Sequence, residues 1–157
     1  MRKRLISSMP HDPLPFDGAG LDLANLATVE ITSEDEAHPI EWALRLGETR
    51  GWRAAEPGPQ IIRLLFDQPQ KLKRIGLVFE ETEIQRTQEF ALKWSPDRGN
   101  SFREIVRQQW NFSPPVTVRE TEDYTVDLFD VTVLELKIIP DKSGGEARAS
   151  VASFRLA

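Results

Sequence analysis

The chain has no cysteine, only two histidines and one tyrosine among 157 residues, and no apolar run approaching the length of a membrane span. Without thiols there is no disulfide framework, no thiolate metal site and no cysteine nucleophile. The histidines, His11 and His38, stand far apart with no carboxylate pair at fixed spacing, which excludes the usual zinc signatures. Basic residues are outnumbered: 20 Lys and Arg face 25 Asp and Glu, a net charge of −5. Recognition of a polyanion by bulk charge needs a concentrated basic surface, so nucleic acid is not an expected partner. The same balance argues against a membrane surface. Neither a G-x-S-x-G elbow nor a phosphate-cradling P-loop is present. With no catalytic signature, the chain reads as non-enzymatic. The opening "MRKRLISSMP" starts basic, but no apolar signal core follows it, which predicts a cytoplasmic protein.

With 39% hydrophobic and 29% charged residues, the composition is that of an ordinary globular domain long enough to bury a core. Residues 1–27, with "HDPLPFDGAG" and the short "LDLANLA", read as a lead-in wrapped on the domain. Residues 28–157 read as one β domain. Apolar runs recur at "TVEIT", "IIRLLF", "LKRIGLVF", "EFALKW", "SFREIV", "DYTVDL", "VTVLELKII" and "ASVASFRL", and no helical periodicity is sustained. Ile75, Leu77 and Phe79 share one face; so do Phe90, Leu92 and Trp94, and Tyr124, Val126 and Leu128. In "VTVLELKII" the phase slips between Val133 and Leu134, which predicts a bulge. Breakers such as "DQPQ", "SPDRGN", "FDV" and "DKSGG" mark the turns between runs. "HPIEWAL" reads as a helical turn tucking Ile40 and Leu44 under the sandwich. Many short strands at this spacing predict an all-β antiparallel sandwich of the jelly-roll kind.

The stretch "ALKWSPDRGNSF" places Trp94, Ser95, Asp97, Gly99, Asn100 and Phe102 in an order similar to the middle hairpin of discoidin domains. That hairpin, in these coagulation-factor type C domains, runs aromatic–Ser–x–Asp–Gly–x–x–aromatic; here Arg98 is inserted before the glycine. "GWRAAEPGPQIIRLLFDQPQKLKRIGLVF" resembles the family's tryptophan and following strand pair, and "YTVDLFDVTVLELKIIPDKSGGEARASVASFRL" its closing pair. The resemblance covers about Thr28 to Leu156. It implies a galactose-binding-domain-like jelly roll, with Trp52 and Trp94 facing inward. The turn itself reads as a corner, because Asp97 and Asn100 can satisfy local backbone groups and Gly99 can supply a positive φ.

Many relatives of that kind hold a structural calcium ahead of the tryptophan. The matching places fall near Arg45, Leu46 and Gly47, and the family's late glutamate falls on Ser153. Calcium needs several oxygen donors with negative charge among them. With Glu48 as the only nearby substitute, the expectation is no metal and no cofactor.

If each connection reverses the chain, "DQPQ", "SPDRGN" and "FDV" share one end of the sandwich. The other end collects "RAAEPGP", "ETEIQRT", "WNFSPPVTVRE" and "DKSGGEAR", and binding residues concentrate on such scaffold-mounted loops. In "RQQWNFSPP", Gln108, Gln109 and Asn111 offer paired donors and acceptors for sugar hydroxyls. Trp110 could stack on a pyranose face, or Trp110 or Phe112 could plug the core. Arg53, Glu56, Arg86 and Arg148 come from neighbouring loops, and a guanidinium can fork onto vicinal hydroxyls or a carboxylate. The leading expectation is a non-catalytic carbohydrate-binding module. The rival is an intracellular protein-interaction subunit of the same fold, and a phospholipid-binding domain is the third reading.

Overall fold

The computed structural model describes residues 20–45 and 50–157. Two single-turn helices, α1 (Leu23–Leu26) and α2 (Glu41–Leu44), flank β1 (Ala27–Ile31). There follow β2 (Trp52–Pro57), β3 (Gln60–Glu80), β4 (Arg86–Ser95), β5 (Arg103–Phe112), β6 (Arg119–Ile139), β7 (Arg148–Val151) and β8 (Ser153–Leu156). All pairs are antiparallel, in the order β1-β3-β6-β4-β5, with β8 also on β3 and β2 paired with β7 in a separate ribbon.

The two 21-residue strands make the sandwich. The first half of β3 pairs with the second half of β6 (Gln60↔Ile138 to Leu65↔Val133), beside β4. The second half pairs with the start of β6 (Arg74↔Thr125 to Glu80↔Arg119) and carries β8. Between these halves the register shifts repeatedly, from Leu65 to Arg74, and Asp130 takes φ 58° opposite. Pro69, which has no N–H to donate, sits in this break, where a strand tolerates it. The halves so joined close on one another: Phe79 of β3 and Phe90 of β4 meet across the core with ring centroids 5.1 Å apart.

"DQPQ" and "FDV" are therefore bends within continuous strands rather than turns between separate ones. The slip at Val133/Leu134 also has a different cause from the one expected. Register is unbroken there against both neighbours, Leu65 and Leu64 on β3 and Ser95 and Trp94 on β4. Val131 to Leu136 are all buried, Thr132 and Glu135 included, because this part of β6 is central and covered on both faces. Loss of alternation marks two-sided burial here. The single run "ASVASFRL" divides into β7 and β8, with Ala152 N–H donating to the Val78 carbonyl between them.

Ile75, Leu77, Phe79, Phe90 and Leu92 are buried as their alternation predicts, with Trp52, Phe66, Phe112 and Phe154 filling the remaining volume. Each such side chain removed from water contributes about 1.5–3 kcal/mol before entropy is counted. Trp94, Tyr124, Val126 and Leu128 are half-buried against this core. Ile40, Ala43 and Leu44 anchor α2 beneath it, as expected. Leu23 of the lead-in is buried too, and Leu21 N–H donates to the Leu156 carbonyl. His11 and Glu48 lie outside the described residues.

Candidate functional site

The "SPDRGN" turn is a structural corner. The Ser95 hydroxyl donates to Asp97 Oδ1 (2.7 Å), and the N–H groups of Asp97 and Gly99 donate to Ser95 Oγ. Ser101 donates to Asp97 through both its N–H (2.9 Å) and its hydroxyl (2.6 Å). These serine donors hold the Asp97 carboxyl down to about 2, well below the usual carboxylate range. Gly99 has φ 92° as anticipated, and Arg98 joins it at φ 61°. The inserted Arg98 fastens the corner: its guanidinium donates to the Phe66 and Asp67 carbonyls, and its N–H to Thr132 Oγ1. All three bends thus meet at one pole, and Ser95, Asp97, Arg98 and Asn100 all bond within it.

The other pole gathers the chain segments assigned to it. Lys142 N–H donates to the Thr87 carbonyl (2.8 Å), Glu81 N–H to the Val118 carbonyl (2.8 Å), and Gly58 N–H to the Ala147 carbonyl (3.4 Å). Here lies a cleft of about 260 Å³, lined by His38, Arg50, Trp52 and Arg53 on one side and Glu80 to Glu83 on the other. Arg148, Ser150, Val151 and Ala152 complete its floor and end.

Each wall has a local cause. Trp52 is buried to 1% and donates from Nε1 to the Ser33 carbonyl (3.1 Å), which fixes its ring in the floor. The preceding Gly51 (φ 75°) lies so close to the β7–β8 junction that a Cβ would stand 2.6 Å from the Val151 carbonyl oxygen. His38 is brought in by a tight turn, with its N–H on the Asp35 carbonyl and its own carbonyl accepting from Arg53 N–H. Its Nδ1 is 3.4 Å from Asp35 Oδ2. The Ala37 N–H above all holds the Asp35 carboxyl below its ordinary value; desolvation opposes it, and His38 and Arg148 assist. At the rim the Arg50 guanidinium lies 3.6 Å from the centroid of the Trp42 ring, which meets His38 edge-on.

The acidic wall is built from behind by Arg86. This side chain is wholly buried; Nε donates to Glu81 Oε1 (2.7 Å), and Nη1 to Gln88 Oε1 and the Pro140 carbonyl. Glu81 Oε2 accepts from the N–H groups of Glu83 and Ile84, shaping the bend. Burial alone would push the Glu81 carboxyl up; Arg86 and these backbone donors outweigh it and leave it below its ordinary value.

Of the eight residues expected to converge, Arg53 and Arg148 line this cleft. Arg86 does not reach it as a ligand group, since its side chain is wholly buried and its Nε and Nη1 are bound to Glu81, Gln88 and Pro140. Glu56 is exposed on β2 and is not among the lining residues. The glutamine-rich segment is strand rather than loop: Arg103–Phe112 alternates, with Gln108, Trp110 and Phe112 turned inward and Gln109 and Asn111 outward. Phe112 is fully buried and is the core plug. Gln108 accepts weakly from the Tyr124 hydroxyl (3.4 Å), and Asn111 Oδ1 accepts from the Thr87 hydroxyl (2.7 Å). Gln109, half-buried Trp110 and Asn111 line a separate shallow depression with Thr117. Sequence reasoning missed His38, Arg50, Glu80 to Glu83 and Ser150. No group of His, Asp and Glu suited to a metal occurs among the described residues.

No family model and no curated protein matches the chain. Its fold does match solved structures. A carbohydrate-binding module of Clostridium perfringens, solved with GalNAc-β-1,3-galactose, superposes at a TM-score of 0.63 with 20% identity, over 87% of this chain and 98% of the module. A pectin-binding module gives 0.61 at 15% identity, over 84% and 90%. A family 32 module of the C. perfringens protein NanJ, solved with galactose, gives 0.57 at 15%, over 83% and 92%. The chain therefore has the discoidin-like, galactose-binding-domain-like jelly-roll fold of family 32 carbohydrate-binding modules.

Proposed function

We propose that the chain is a non-catalytic carbohydrate-binding module whose ligand occupies the pole cleft. The observation that carries this reading is the cleft's composition: guanidinium and imidazole donors face carboxylate acceptors in one concave site, with Trp52 buried beneath it. Sugar hydroxyls donate and accept at once, so a site offering both senses suits them. A concave site with a few convergent polar groups is also the ordinary form of a small-ligand site. Support by analogy comes from the similar modules, solved with GalNAc-β-1,3-galactose or galactose, or described as binding pectin. Fold alone does not assign function, so the cleft bears the weight.

The test is a glycan array probed with the purified chain, with and without calcium, beside the variants His38→Ala and Trp110→Ala. Calcium-independent binding to a defined glycan class, lost in His38→Ala and kept in Trp110→Ala, is expected. Loss in Trp110→Ala alone would move the site to the β5 depression. A blank array from folded protein would overturn the reading and favour an interaction subunit.

A further inference from the structure

Four arginines of the described surface meet carboxylates. Arg63 reaches Glu135 (2.7 Å), Arg74 reaches Asp123 (2.5 Å), Arg107 reaches Glu104 (2.9 Å) and Arg119 reaches Glu80 (3.5 Å). In a chain with five more acids than bases, this is the expected outcome. Arg53 and Arg148 are not among these pairs; nor are Arg45, Arg98 and Arg103, but these three lie outside the pole cleft. Neither the Arg53 nor the Arg148 side chain makes a hydrogen bond or ion pair with a described residue, and both line the pole cleft.

Their placement is set by the β2–β7 ribbon. Trp52 and Ala54 of β2, and Ala149 and Val151 of β7, point into the core. Arg53 and Arg148, one on each strand, therefore project from the opposite face. Arg53 pairs with Ser150, two residues along from Arg148, so the two guanidinium stems flank the Ser150 side chain. Like charges so placed repel, and Glu56, the one acid of the ribbon, makes no ion pair with either arginine. Arg148 acts electrostatically on the Asp35 carboxylate, but that group already meets the Ala37 N–H (3.0 Å) and His38 Nδ1 (3.4 Å). Across the cleft, Glu81 is consumed by Arg86 and Glu80 faces Arg119, which leaves Glu83 as the uncommitted acid.

Two guanidinium groups without a partner among the described residues flank a hydroxyl that donates weakly to the Glu80 carbonyl (3.4 Å), in a cleft whose own acids are mostly engaged, and together they make an anion cradle. A planar carboxylate suits it, because a guanidinium offers two parallel N–H donors in a rigid fork. Resting on the carbohydrate reading above, we infer that the cleft selects sugars carrying a carboxylate, with Arg53 and Arg148 gripping that group and Ser150 Oγ between them. The negative charge comes with the ligand and completes ion pairs that the described residues leave open.

The test is calorimetric titration with trigalacturonate, its fully methyl-esterified form, sialyllactose and lactose. Arg53→Gln, Arg148→Gln and Glu83→Gln are run beside the parent chain, with circular dichroism confirming the fold of each. The first two residues are exposed, so their removal leaves the core intact. Expected are binding of trigalacturonate or sialyllactose, according to which acidic sugar fits, and a loss of roughly tenfold to hundredfold in each arginine variant, the worth of a charged hydrogen bond. Esterification should cost as much, and Glu83→Gln should tighten binding of the acid. Equal affinity for the acid and its ester, or preference for lactose, would overturn the inference while leaving the carbohydrate reading standing. Binding of none of the four, together with a blank array, would remove both.

Discussion

Arg86 Nε lies 2.7 Å from Glu81 Oε1, with the arginine side chain wholly buried and the glutamate 15% exposed, so the acidic wall of the cleft hangs on a cation within the sandwich. Removing one member of a buried pair strands the other. Arg86→Met is expected to cost about 3–5 kcal/mol in urea denaturation at pH 7. The double variant Arg86→Met, Glu81→Leu should cost less than Arg86→Met alone, because no charge is left uncompensated. Amide exchange over residues 81–85 should quicken in the single variant, since Glu81 also accepts from Glu83 and Ile84. An unchanged midpoint for Arg86→Met would show that the pair does not hold the wall.

Glu120 gives the core a pH dependence. It is fully buried, Gln88 Nε2 donates to its Oε1 (3.3 Å), and Oε2 meets no donor. Burial, then the neighbouring Glu122 carboxylate, push its carboxyl up to about 8, with Gln88 and Arg86 pulling the other way less strongly. An unfolded glutamate ionises near its ordinary value of 4.5. Between the two values the folded chain keeps a proton that the unfolded chain releases. The contribution to stability is therefore complete below about pH 4.5 and is lost as pH rises towards 8. Glu120→Gln stays neutral throughout, so its advantage over the parent should grow across that window, by a few kcal/mol at most. Melting curves at pH 4.5, 6 and 8 check this; parallel curves would exclude a raised Glu120.

At the opposite pole the sign reverses. Asp97, held at about 2 by its serine donors, stabilises the fold at pH above its ordinary 3.8 and loses that contribution as pH falls through 2. Asp97→Asn should lower Tm by about a few degrees at pH 6. Parent and variant should converge between pH 4 and pH 2, and a gap that persists to pH 2 would sink the assignment.

The sandwich was legible in the chain because burial on one face leaves a period of two, as in Ile75, Leu77 and Phe79. Strand parity also sorted the loops to the correct poles, since antiparallel reversal is local bookkeeping. Extending the inward set of Phe90 and Leu92 backwards through Gln88 reaches Arg86, so the burial of Arg86 was readable from the same pattern. The full composition of the cleft was not. His38 reaches it through a backbone hydrogen bond with Arg53, fifteen residues on, and Arg53 meets Ser150 across the β2–β7 ribbon. Pairings of that range leave no trace in local periodicity. The six-residue strand signal of "RQQWNF" reads as loop when its polar residues are taken alone, because the inward phase of its large aromatics shows only if the alternation is followed past Val106.

Gly51 links fold to site, and its replacement tests that link. At φ 75° an alanine is strained, and its Cβ would press within 2.6 Å of the Val151 carbonyl oxygen and 2.7 Å of Ala152 Cα, both backbone atoms that cannot swing aside. Gly58 provides the control: its φ is 93°, but a Cβ there would meet nothing within 4 Å. Gly58→Ala should cost about 1–2 kcal/mol from the backbone conformation alone. Gly51→Ala should cost clearly more, because overlap adds to strain. Since Gly51 stands between Arg50 and Trp52, both lining the cleft, ligand affinity should fall in this variant and hold in Gly58→Ala. Paired denaturation and titration of the two variants decide it; equal losses of stability would mean that the β7–β8 junction yields, and that the cleft floor is softer than this packing implies.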